Sequence, residues 1–202
     1  LAAHAPEVYA GILEADRVSR EARGGHGNAL AHPYTHSILP LDTLRDKVTQ
    51  IRWGIADFRH RFGRQPEGMW LPETAVDWET LEVLAEHGIA FTMLSPRQAA
   101  RVRPVGGGEW RDVRQGGLDP RQPHRVRLPG GRSLAVFFYN EPVSRAIAFE
   151  GLLGSGEALA ARLLGAFVPD RPDAQLVHVA TDGESYGHHH RFGDMALAYA
   201  LE

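Results

Sequence analysis

Residues 174–190 read AQLVHVATDGESYGHHH, and this stretch decides the fold that we predict. Its first seven residues form a mostly apolar run with two valines, which is typical of a short strand. A polar turn follows from residue 181, and residues 192–201 then have the composition of a helix. A strand that leads through a short turn into a helix is the repeating unit of α/β folds with parallel strands.

The turn itself carries several titratable side chains in close succession. Asp182 and Glu184 lie two residues apart beside glycines, and three histidines follow at His188–His190. Glycine permits tight turns, and such a group of carboxylates and histidines favours a site that water, a ligand or a metal engages. A solvated surface loop is the alternative. We favour a functional site because a similar acidic turn occurs upstream.

The upstream turn lies in residues 68–75, which read GMWLPETA. An apolar, strand-like run ends at Pro72, which cannot donate a hydrogen bond to a neighbouring strand, and Glu73 follows directly. Glu73 is therefore expected at the carboxyl end of a strand, just before a helix. A role in capping that helix is the alternative, but Thr74 or Asp77 could perform it.

A third turn of this kind lies nearer the start of the chain. Residues 28–32 form a short strand-like run that ends at His32. The turn after it, PYTHSILP at residues 33–40, holds Tyr34 and His36 between two prolines. This is the third predicted strand end that carries polar side chains.

The composition is that of an ordinary globular protein. The 202 residues are 43% hydrophobic and 23% charged, which suits one domain or part of one. The net charge of -3 and the scattered basic residues offer no basic surface, so we expect no nucleic-acid partner. No apolar run approaches the ~20 residues that span a bilayer, so we expect no membrane partner either. The sequence leaves the oligomeric state open.

The chain contains no Cys, which rules out disulfides and thiolate metal ligands. This fits a reducing compartment, and we expect a cytoplasmic protein. The sequence begins without Met and ends inside an apparent helix, so we expect a piece of a longer protein. The lack of a signal peptide therefore carries little weight.

Hydrophobic spacing, with Gly and Pro as punctuation, predicts strands that alternate with helices. The strongest helix is expected to begin at an Asp42 N-cap and to end at Gly63. Its apolar residues step by three and four, at Leu44, Val48, Ile51, Ile55, Phe58 and Phe62. The other main helices are predicted at 6–23, 78–87, 141–149 and 156–167, and further strands at 89–94 and 134–139.

Two segments in the middle of the chain are less regular. Residues 125–128 could pair with the strand at 134–139 as a hairpin across 129–131, or that strand could stand alone in a parallel sheet. Residues 106–123 are rich in Gly, Arg and Asp without periodicity. They are expected to form a long loop inserted in the domain.

Alternating strands and helices imply parallel strands with right-handed crossover helices, as in a barrel or an open doubly wound sheet. The sequence has no Gly-x-Gly-x-x-Gly turn and no Gly-Lys-Ser/Thr loop, which disfavours nucleotide-binding open sheets. In a (β/α) barrel the reactive groups follow the carboxyl ends of strands, where His32, Glu73 and Asp182 fall. We therefore predict an α/β fold, a TIM-like barrel over residues 1–202 that lacks its first and last units.

The blocks GMWLPETA at residues 68–75 and TDGESYGH at residues 181–188 resemble two signature blocks of glycoside hydrolase family 57. The turn YTHSILPL at residues 34–41 is similar to a third block of that family. Three blocks in the family's order are a specific signal. The resemblance implies an incomplete (β/α)7 barrel and retaining action on α-linked glucans, of the amylase, glucanotransferase, branching or α-galactosidase type.

The resemblance also implies roles for individual residues. Glu73 matches the nucleophile, Asp182 the general acid/base, and His36 a position that lines the substrate. The expected partner is an oligo- or polysaccharide, and we expect no cofactor and no metal. The family's first block, a His-Gln-Pro strand end, and the helical region after the barrel are missing, so the chain resembles an internal fragment of a larger member. The triplet His188–His190 resembles uncharacterised members and leaves the glycan undefined.

Cleavage of a glycosidic bond needs a proton on the leaving oxygen and a nucleophile or negative charge at the anomeric carbon. Our hypothesis is that ionised Glu73 attacks this carbon to give a glycosyl-enzyme. Asp182, kept protonated by burial and by the charge of Glu73, would protonate the leaving group and then activate water. Glu184 is the reserve acid and is expected to bind sugar hydroxyls or to orient its neighbours.

The other expected substrate-binding residues are aromatic or histidine side chains. Tyr34, Trp70 and Tyr186 are candidates to stack on sugar rings, although Trp70 could equally belong to the core. His32 and His188 complete the predicted substrate-binding set.

Two other hypotheses compete with this one. His32, His36, Asp182 and the triplet offer ligand types for zinc, and related incomplete barrels include metal-dependent sugar deacetylases and mannosidases. Pro33 separates the two histidines, so they do not share a helix face. The third hypothesis is a non-catalytic carbohydrate-binding barrel, against which the presence of both carboxylates argues.

Overall fold

The computed structural model describes residues 1–202, which divide into two compact units. Unit 1 comprises Leu1–Met93 and Arg125–Ala135, and unit 2 comprises Leu94–His124 and Val136–Glu202. The helices are α1 (Pro6–Ala22), α2 (Leu44–Phe62), α3 (Trp78–Glu86), α4 (Glu141–Phe149), α5 (Gly156–Leu164) and α6 (Gly193–Leu201). The strands are β1 (Phe91–Leu94), β2 (Arg101–Val102), β3 (Arg111–Asp112), β4 (His124–Arg127) and β5 (Ser133–Phe138). No helix has the length and apolarity needed to cross a membrane.

α2 is the longest helix and confirms the strongest helix prediction. The Thr43 side chain caps it by accepting a hydrogen bond from the Asp46 N–H, and Gly63 ends it in the left-handed conformation. The prediction of Asp42 as N-cap is wrong, because its carboxylate accepts the Ser37 hydroxyl instead. The buried residues are Lys47, Ile51, Gly54 and Phe58, while Leu44 is 52% exposed. The predicted apolar face is therefore rotated, and it includes a lysine and a glycine.

The other helices lie close to their predicted positions. α1 and α3 each end one residue before the predicted ends at 23 and 87, and α4 matches its prediction. α5 ends at Leu164 rather than at 167. Asp77 caps α3 by accepting a hydrogen bond from the Thr80 N–H, so one of the two predicted caps is confirmed.

Two predicted strands of unit 1 are reduced to single bridges. Ala31 forms a parallel bridge with Met69, and Gly68 forms another with Phe91. The predictions of regular strands at 28–32 and 68–71 are therefore wrong in extent, although their parallel direction is confirmed. Proline at residues 33 and 72 ends each ladder early, because proline has no N–H to donate.

The three-stranded sheet has the order β1-β5-β4. β4 and β5 are joined through the turn Pro129–Gly131, and the Leu128 N–H donates to the Arg132 carbonyl. Beside β1, the Ala135 N–H donates to the Ala90 carbonyl, and the Tyr139 N–H donates to the Leu94 carbonyl. Donor and acceptor thus both advance by four residues. This constant offset means that β1 and β5 run parallel. The hairpin prediction is thus confirmed, and the alternative that β5 stands alone is wrong, although the parallel neighbour that this alternative implied is present.

Unit 2 has a core formed by three helices. The core residues are Val143, Ile147, Leu153, Leu159 and Ala196, from α4, α5, α6 and the turn between α4 and α5. The predicted strand at 174–180 is not a regular strand. Its backbone is held at His178, whose carbonyl accepts the Asn140 N–H, and at Ala180, whose N–H donates to the Ser144 hydroxyl. A side chain thus replaces the neighbouring strand as a partner, and the ladder does not form.

The predicted loop at 106–123 contains β3, which pairs antiparallel with β2. Further along, the Arg121 Nε–H donates to the Ala166 carbonyl over 2.6 Å, and the Leu176 N–H donates to the Arg121 carbonyl over 3.0 Å. The chain as a whole has a mixed α/β fold with parallel strands and helices.

Candidate active site

Residues 71–75, which we call the Glu73 turn, have an unusual backbone. Glu73 has φ 56° and Thr74 has φ 52°, so two successive residues other than glycine adopt the left-handed conformation. Each such residue costs about 1–3 kcal/mol. The turn is closed by hydrogen bonds from the Thr74 N–H to the Leu71 carbonyl and from the Ala75 N–H to the Pro72 carbonyl. The Glu73 side chain is 77% exposed, so the turn presents a carboxylate to solvent.

Two predicted histidines lie together beside this carboxylate. His36 Nε2 is 3.9 Å from Glu73 Oε1, which is too long for a hydrogen bond but close enough for a charge interaction when His36 is protonated. The rings of His32 and His36 lie 4.9 Å apart. The Glu73 turn and both histidines therefore form one cluster in unit 1.

His32 is held in one tautomer. Its Nδ1–H donates to the Pro33 carbonyl over 2.6 Å, which leaves Nε2 as the acceptor nitrogen. Burial lowers the pKa of His32; the bond to Pro33 opposes this, and the proximity of His36 adds to the lowering. His32 is therefore neutral at physiological pH and can accept a hydrogen bond.

The two aromatic candidates of unit 1 have different surroundings. Tyr34 is exposed, and its ring meets that of Trp53 on α2 edge to face at 5.6 Å. Trp70 is half-buried, and its backbone N–H donates to the Ala31 carbonyl. Tyr34 thus offers an accessible ring, while the half-buried Trp70 keeps both of its predicted roles open.

The sequence reasoning missed two residues of α2 that support this cluster. A Cβ at Gly54 would lie 2.0 Å from the His32 carbonyl oxygen, so only glycine allows α2 to approach this close. Lys47 is buried and forms ion pairs with Asp77 and Glu79 just after the Glu73 turn. The sequence signal for Gly54 was its place as a glycine inside the strongest predicted helix.

Residues 181–187, which we call the Asp182 turn, belong to unit 2. Asp182 precedes a short helical turn at Gly183–Ser185, and its carbonyl accepts the Ser185 N–H. The Asp182 side chain is exposed, so the burial that we expected for it is not observed. The cause is local: no buried strand leads into the turn.

Tyr186 anchors the Asp182 turn. Its hydroxyl lies 2.8 Å from the Thr181 hydroxyl, and its ring packs against the core of unit 2. The predicted stacking of Tyr186 on a sugar would therefore use a ring that is already partly covered.

The three histidines after the turn do not converge. The His190 Nε2–H donates to the Ala148 carbonyl over 3.0 Å, which ties it to α4. His188 and His189 are exposed, their rings lie 4.9 Å apart, and their backbone N–H groups donate to the Glu184 carbonyl. The Glu184 side chain is exposed. Within neither unit do three or more His, Asp or Glu side chains come together in a way that could hold a metal ion.

A histidine that the sequence reasoning passed over lies four residues before Asp182. Both ring nitrogens of His178 are buried without a hydrogen-bond partner. Its ring meets that of Phe137 edge to face at 6.3 Å. Burial lowers the pKa of His178, so the ring is neutral at physiological pH.

Comparisons with known proteins show one family match and several similar structures. The sequence model of glycosyl hydrolase family 57 matches residues 22–202. Among solved structures, the chain is similar to an exo-type maltose-forming amylase from Pyrococcus sp. ST04, with 18% identity and a TM-score of 0.72 over 99% of this chain and 31% of that one. It is similar to a branching enzyme of the same family from Thermococcus kodakaraensis, with 20% identity and a TM-score of 0.68 over 96% and 46%.

A third similar structure is a proposed polysaccharide deacetylase from Mycobacterium smegmatis, with 18% identity and a TM-score of 0.51 over 98% of this chain and 59% of that one. A sequence search of curated proteins finds no match. The chain thus spans between 31% and 59% of the length of these structures. At such identities the likeness concerns the fold.

Proposed function

The chain belongs to glycosyl hydrolase family 57, and on this premise we propose that it supplies most of a retaining catalytic domain for α-linked glucans. The observation that carries the proposal is the exposed Glu73 carboxylate on a strained turn, with His36 at 3.9 Å. Strained backbone in proteins concentrates at active sites, where the fold holds a reactive group in place.

The proposed reaction is a double displacement. The Glu73 carboxylate attacks the anomeric carbon and forms a glycosyl ester, while Asp182 gives its proton to the leaving glycosidic oxygen. Asp182 then takes a proton from water, or from a sugar hydroxyl when the reaction is a transfer, and the attacking oxygen displaces Glu73. This chemistry requires both carboxyl groups to reach one glycosidic bond, about 5–5.5 Å apart.

The neighbours of Glu73 have roles that fit this reaction. His36, whose Nε2 lies 3.9 Å from the Glu73 carboxylate, is placed to line the substrate. Neutral His32 can accept a hydrogen bond from a sugar hydroxyl through Nε2. Tyr34 offers an exposed ring for stacking.

In unit 2 we assign substrate contacts to Glu184, Tyr186 and His188. Exposed carboxylate and imidazole groups suit sugar hydroxyls, and the covered ring of Tyr186 makes it the least accessible of the three. These three residues follow Asp182 within six positions along the chain, which supports their assignment to the end of the substrate that Asp182 contacts.

The proposal extends to the architecture and the substrate class. We propose an incomplete (β/α)7 barrel over residues 1–202, with 106–123 as an inserted loop. Two similar structures are described as a maltose-forming amylase and as a branching enzyme in complex with glucose. An oligo- or polysaccharide with α-linked glucose is therefore the proposed substrate.

The test replaces the nucleophile in the intact protein. Glu73→Ala should lower the turnover of a maltooligosaccharide by more than about 1000-fold, and added azide should restore part of it as a glycosyl azide. Glu67→Ala is the matched control, because Glu67 is also a partly exposed glutamate of unit 1 but pairs with His26. Wild-type turnover by Glu73→Ala would remove Glu73 from the mechanism.

Two observations give a reason to test the metal-dependent alternative, although no three His, Asp or Glu side chains come together as metal ligands within either unit. The imidazole rings of His32 and His36 lie 4.9 Å apart, and one similar structure is described as a proposed deacetylase. Loss of activity with a chelator, restored by zinc, would favour this alternative over the two-carboxylate mechanism. Sugar binding without turnover of any tested glycan would instead support a non-catalytic barrel.

A further inference from the structure

Lys47 is the only lysine among the 22 basic residues of the chain, and it is buried. It lies on the inward face of α2 with Ile51, Gly54 and Phe58, and only 2% of its side chain is exposed. Buried lysines are rare in proteins unless they are paired, because the ammonium group loses its hydration. The question is therefore what this buried charge holds in place.

Two carboxylates hold the ammonium group. Lys47 Nζ lies 2.6 Å from Asp77 Oδ2 and 2.9 Å from Glu79 Oε1. Burial by itself lowers the pKa of Lys47, but the hydrogen bonds to Asp77 and Glu79 outweigh it and leave the pKa raised. Burial raises the pKa of Asp77, and bonds from Lys47 and Thr80 reverse this and leave it lowered. Lys47 and Asp77 are therefore both ionised at neutral pH.

Asp77 connects this ion pair to the helix that follows the Glu73 turn. Asp77 Oδ1 accepts the N–H of Thr80 over 2.8 Å and its hydroxyl over 2.5 Å, and Thr80 is fully buried. Asp77 therefore caps α3 with one oxygen and binds Lys47 with the other. These contacts fix the start of α3 to α2.

The Glu73 turn thus lies between two fixed ends. On its amino side, Leu71 is fully buried and its carbonyl accepts the Thr74 N–H. On its carboxyl side, Asp77 follows Thr74 by three residues, a length that spans at most about 10 Å. A shift of Asp77 is therefore transmitted to the turn. Left-handed backbone such as that of Glu73 persists only where the surroundings over-determine it.

We propose that Lys47 is a positioning residue for Glu73: by holding Asp77 and Glu79, it keeps the strained turn in the conformation that presents the carboxylate to substrate. This inference rests on the proposed role of Glu73 as nucleophile. Lys47 acts through the backbone and does not itself touch the sugar. Without it the turn relaxes toward ordinary backbone conformations, and a displacement of about 1 Å can lower a rate about 100-fold.

Three variants of the intact protein test the inference. Lys47→Met removes the ammonium group and keeps an unbranched chain that packs in irregular spaces. Asp77→Asn keeps a good N-cap for α3 and removes the Asp77 charge that pairs with Lys47. This variant tests the role of the ion pair if Lys47→Met does not fold. Asp16→Asn is the matched control, because it breaks a second ion pair of unit 1 that involves a buried charged side chain, in which Asp16 Oδ1 lies 2.7 Å from Arg64 Nη2.

The measurement is fluoride release from α-maltosyl fluoride, below the melting temperature of every variant. Fluoride leaves with little need of a proton, so kcat reports the two steps in which Glu73 takes part, its attack on the anomeric carbon and its displacement by water. We expect kcat to fall about 10- to 100-fold in Lys47→Met and Asp77→Asn, with KM changed by less than about twofold. Asp16→Asn should keep the wild-type kcat although its melting temperature falls.

Two results would overturn the inference. One is a kcat within about twofold of wild type in whichever of Lys47→Met and Asp77→Asn fold. The other is an equal loss of kcat in Asp16→Asn, which would mean that the effect follows general stability. Glu73→Ala is assayed alongside: if it turns over the same fluoride, the proposed function fails, and this result is separate from the outcome for Lys47.

Discussion

The two acidic turns of this chain are held in place in different ways. The Glu73 turn is followed by an ion pair between buried Lys47 and half-buried Asp77, whereas the segment before the Asp182 turn is held by neutral hydrogen bonds to α4. The backbone conformations also differ: Glu73 is left-handed, with φ 56°, and Asp182 is extended, with φ -70° and ψ 144°. A strained turn needs strong restraint, while an extended one keeps its shape at little cost.

This difference suits the two proposed roles. A nucleophile forms one covalent bond at one carbon, so its carboxylate must be held at a fixed place. A general acid/base serves two oxygens in turn, first that of the leaving group and then that of water. A carboxylate on an unstrained, exposed turn can reach both.

The largest expected effect distinguishes the acid/base role of Asp182 from the nucleophilic role of Glu73. Asp182→Asn should lower the hydrolysis of maltooligosaccharides by about 10²- to 10⁴-fold, because the leaving oxygen is no longer protonated. The first equivalent of fluoride from α-maltosyl fluoride should still appear at close to the wild-type rate, and rapid-quench measurement of fluoride checks this. Asp194→Asn is the control, because Asp194 is an exposed residue in the first turn of α6. Equal losses on both substrates would contradict the assignment of Asp182.

A smaller effect is expected where the Asp182 turn is anchored. Ser144→Ala leaves the Ala180 N–H without its acceptor, so the free energy of unfolding should fall by about 1 kcal/mol. The kcat should fall less than in Lys47→Met, because no strained backbone is released. Denaturant titration and turnover measure the two effects, with the exposed Ser133→Ala as control. A larger loss of kcat than in Lys47→Met would reverse the comparison between the turns.

The smallest expected effect is a pH dependence in unit 2. Burial lowers the pKa of His178 from its usual 6.5, so the unfolded chain binds a proton at a pH where the folded chain does not. The contribution of the neutral ring to stability is full above about pH 6.5 and is lost as the pH falls through that value. In His178→Phe, the fall in melting temperature between pH 7.5 and 5.5 should be smaller than in wild type. The same pH dependence in both proteins, or its reduction in the exposed control His60→Phe, would contradict this.

Helices were the most predictable part of the fold. Their apolar spacing and their glycine ends are local signals, and α1 to α4 lie within two residues of their predicted bounds. The strands were less predictable, because a strand needs a partner that its own sequence does not describe. At Ala180 that partner is the hydroxyl of Ser144, and no ladder forms.

The candidate site was predictable only in its residue types. Motif resemblance pointed to Glu73 and His36, and the predicted strand end pointed to His32; these three residues lie together in unit 1. The left-handed backbone of Glu73 had no signal, since glutamate is not a residue that favours it. The role of Lys47 was equally hidden, because a charged residue in an amphipathic helix is usually placed on the solvent side.

The burial of Lys47 also makes it a chemical reporter. It carries the one side-chain amine of residues 1–202, and amine-directed acylating reagents can reach its Nζ only when the surrounding structure opens. Acylation blocks tryptic cleavage at residue 47, so a labelled molecule yields the peptide 46–52 intact, between Arg45 and Arg52. The rate at which this peptide appears measures the rate of opening around Lys47, because no other side chain of the chain carries an amine.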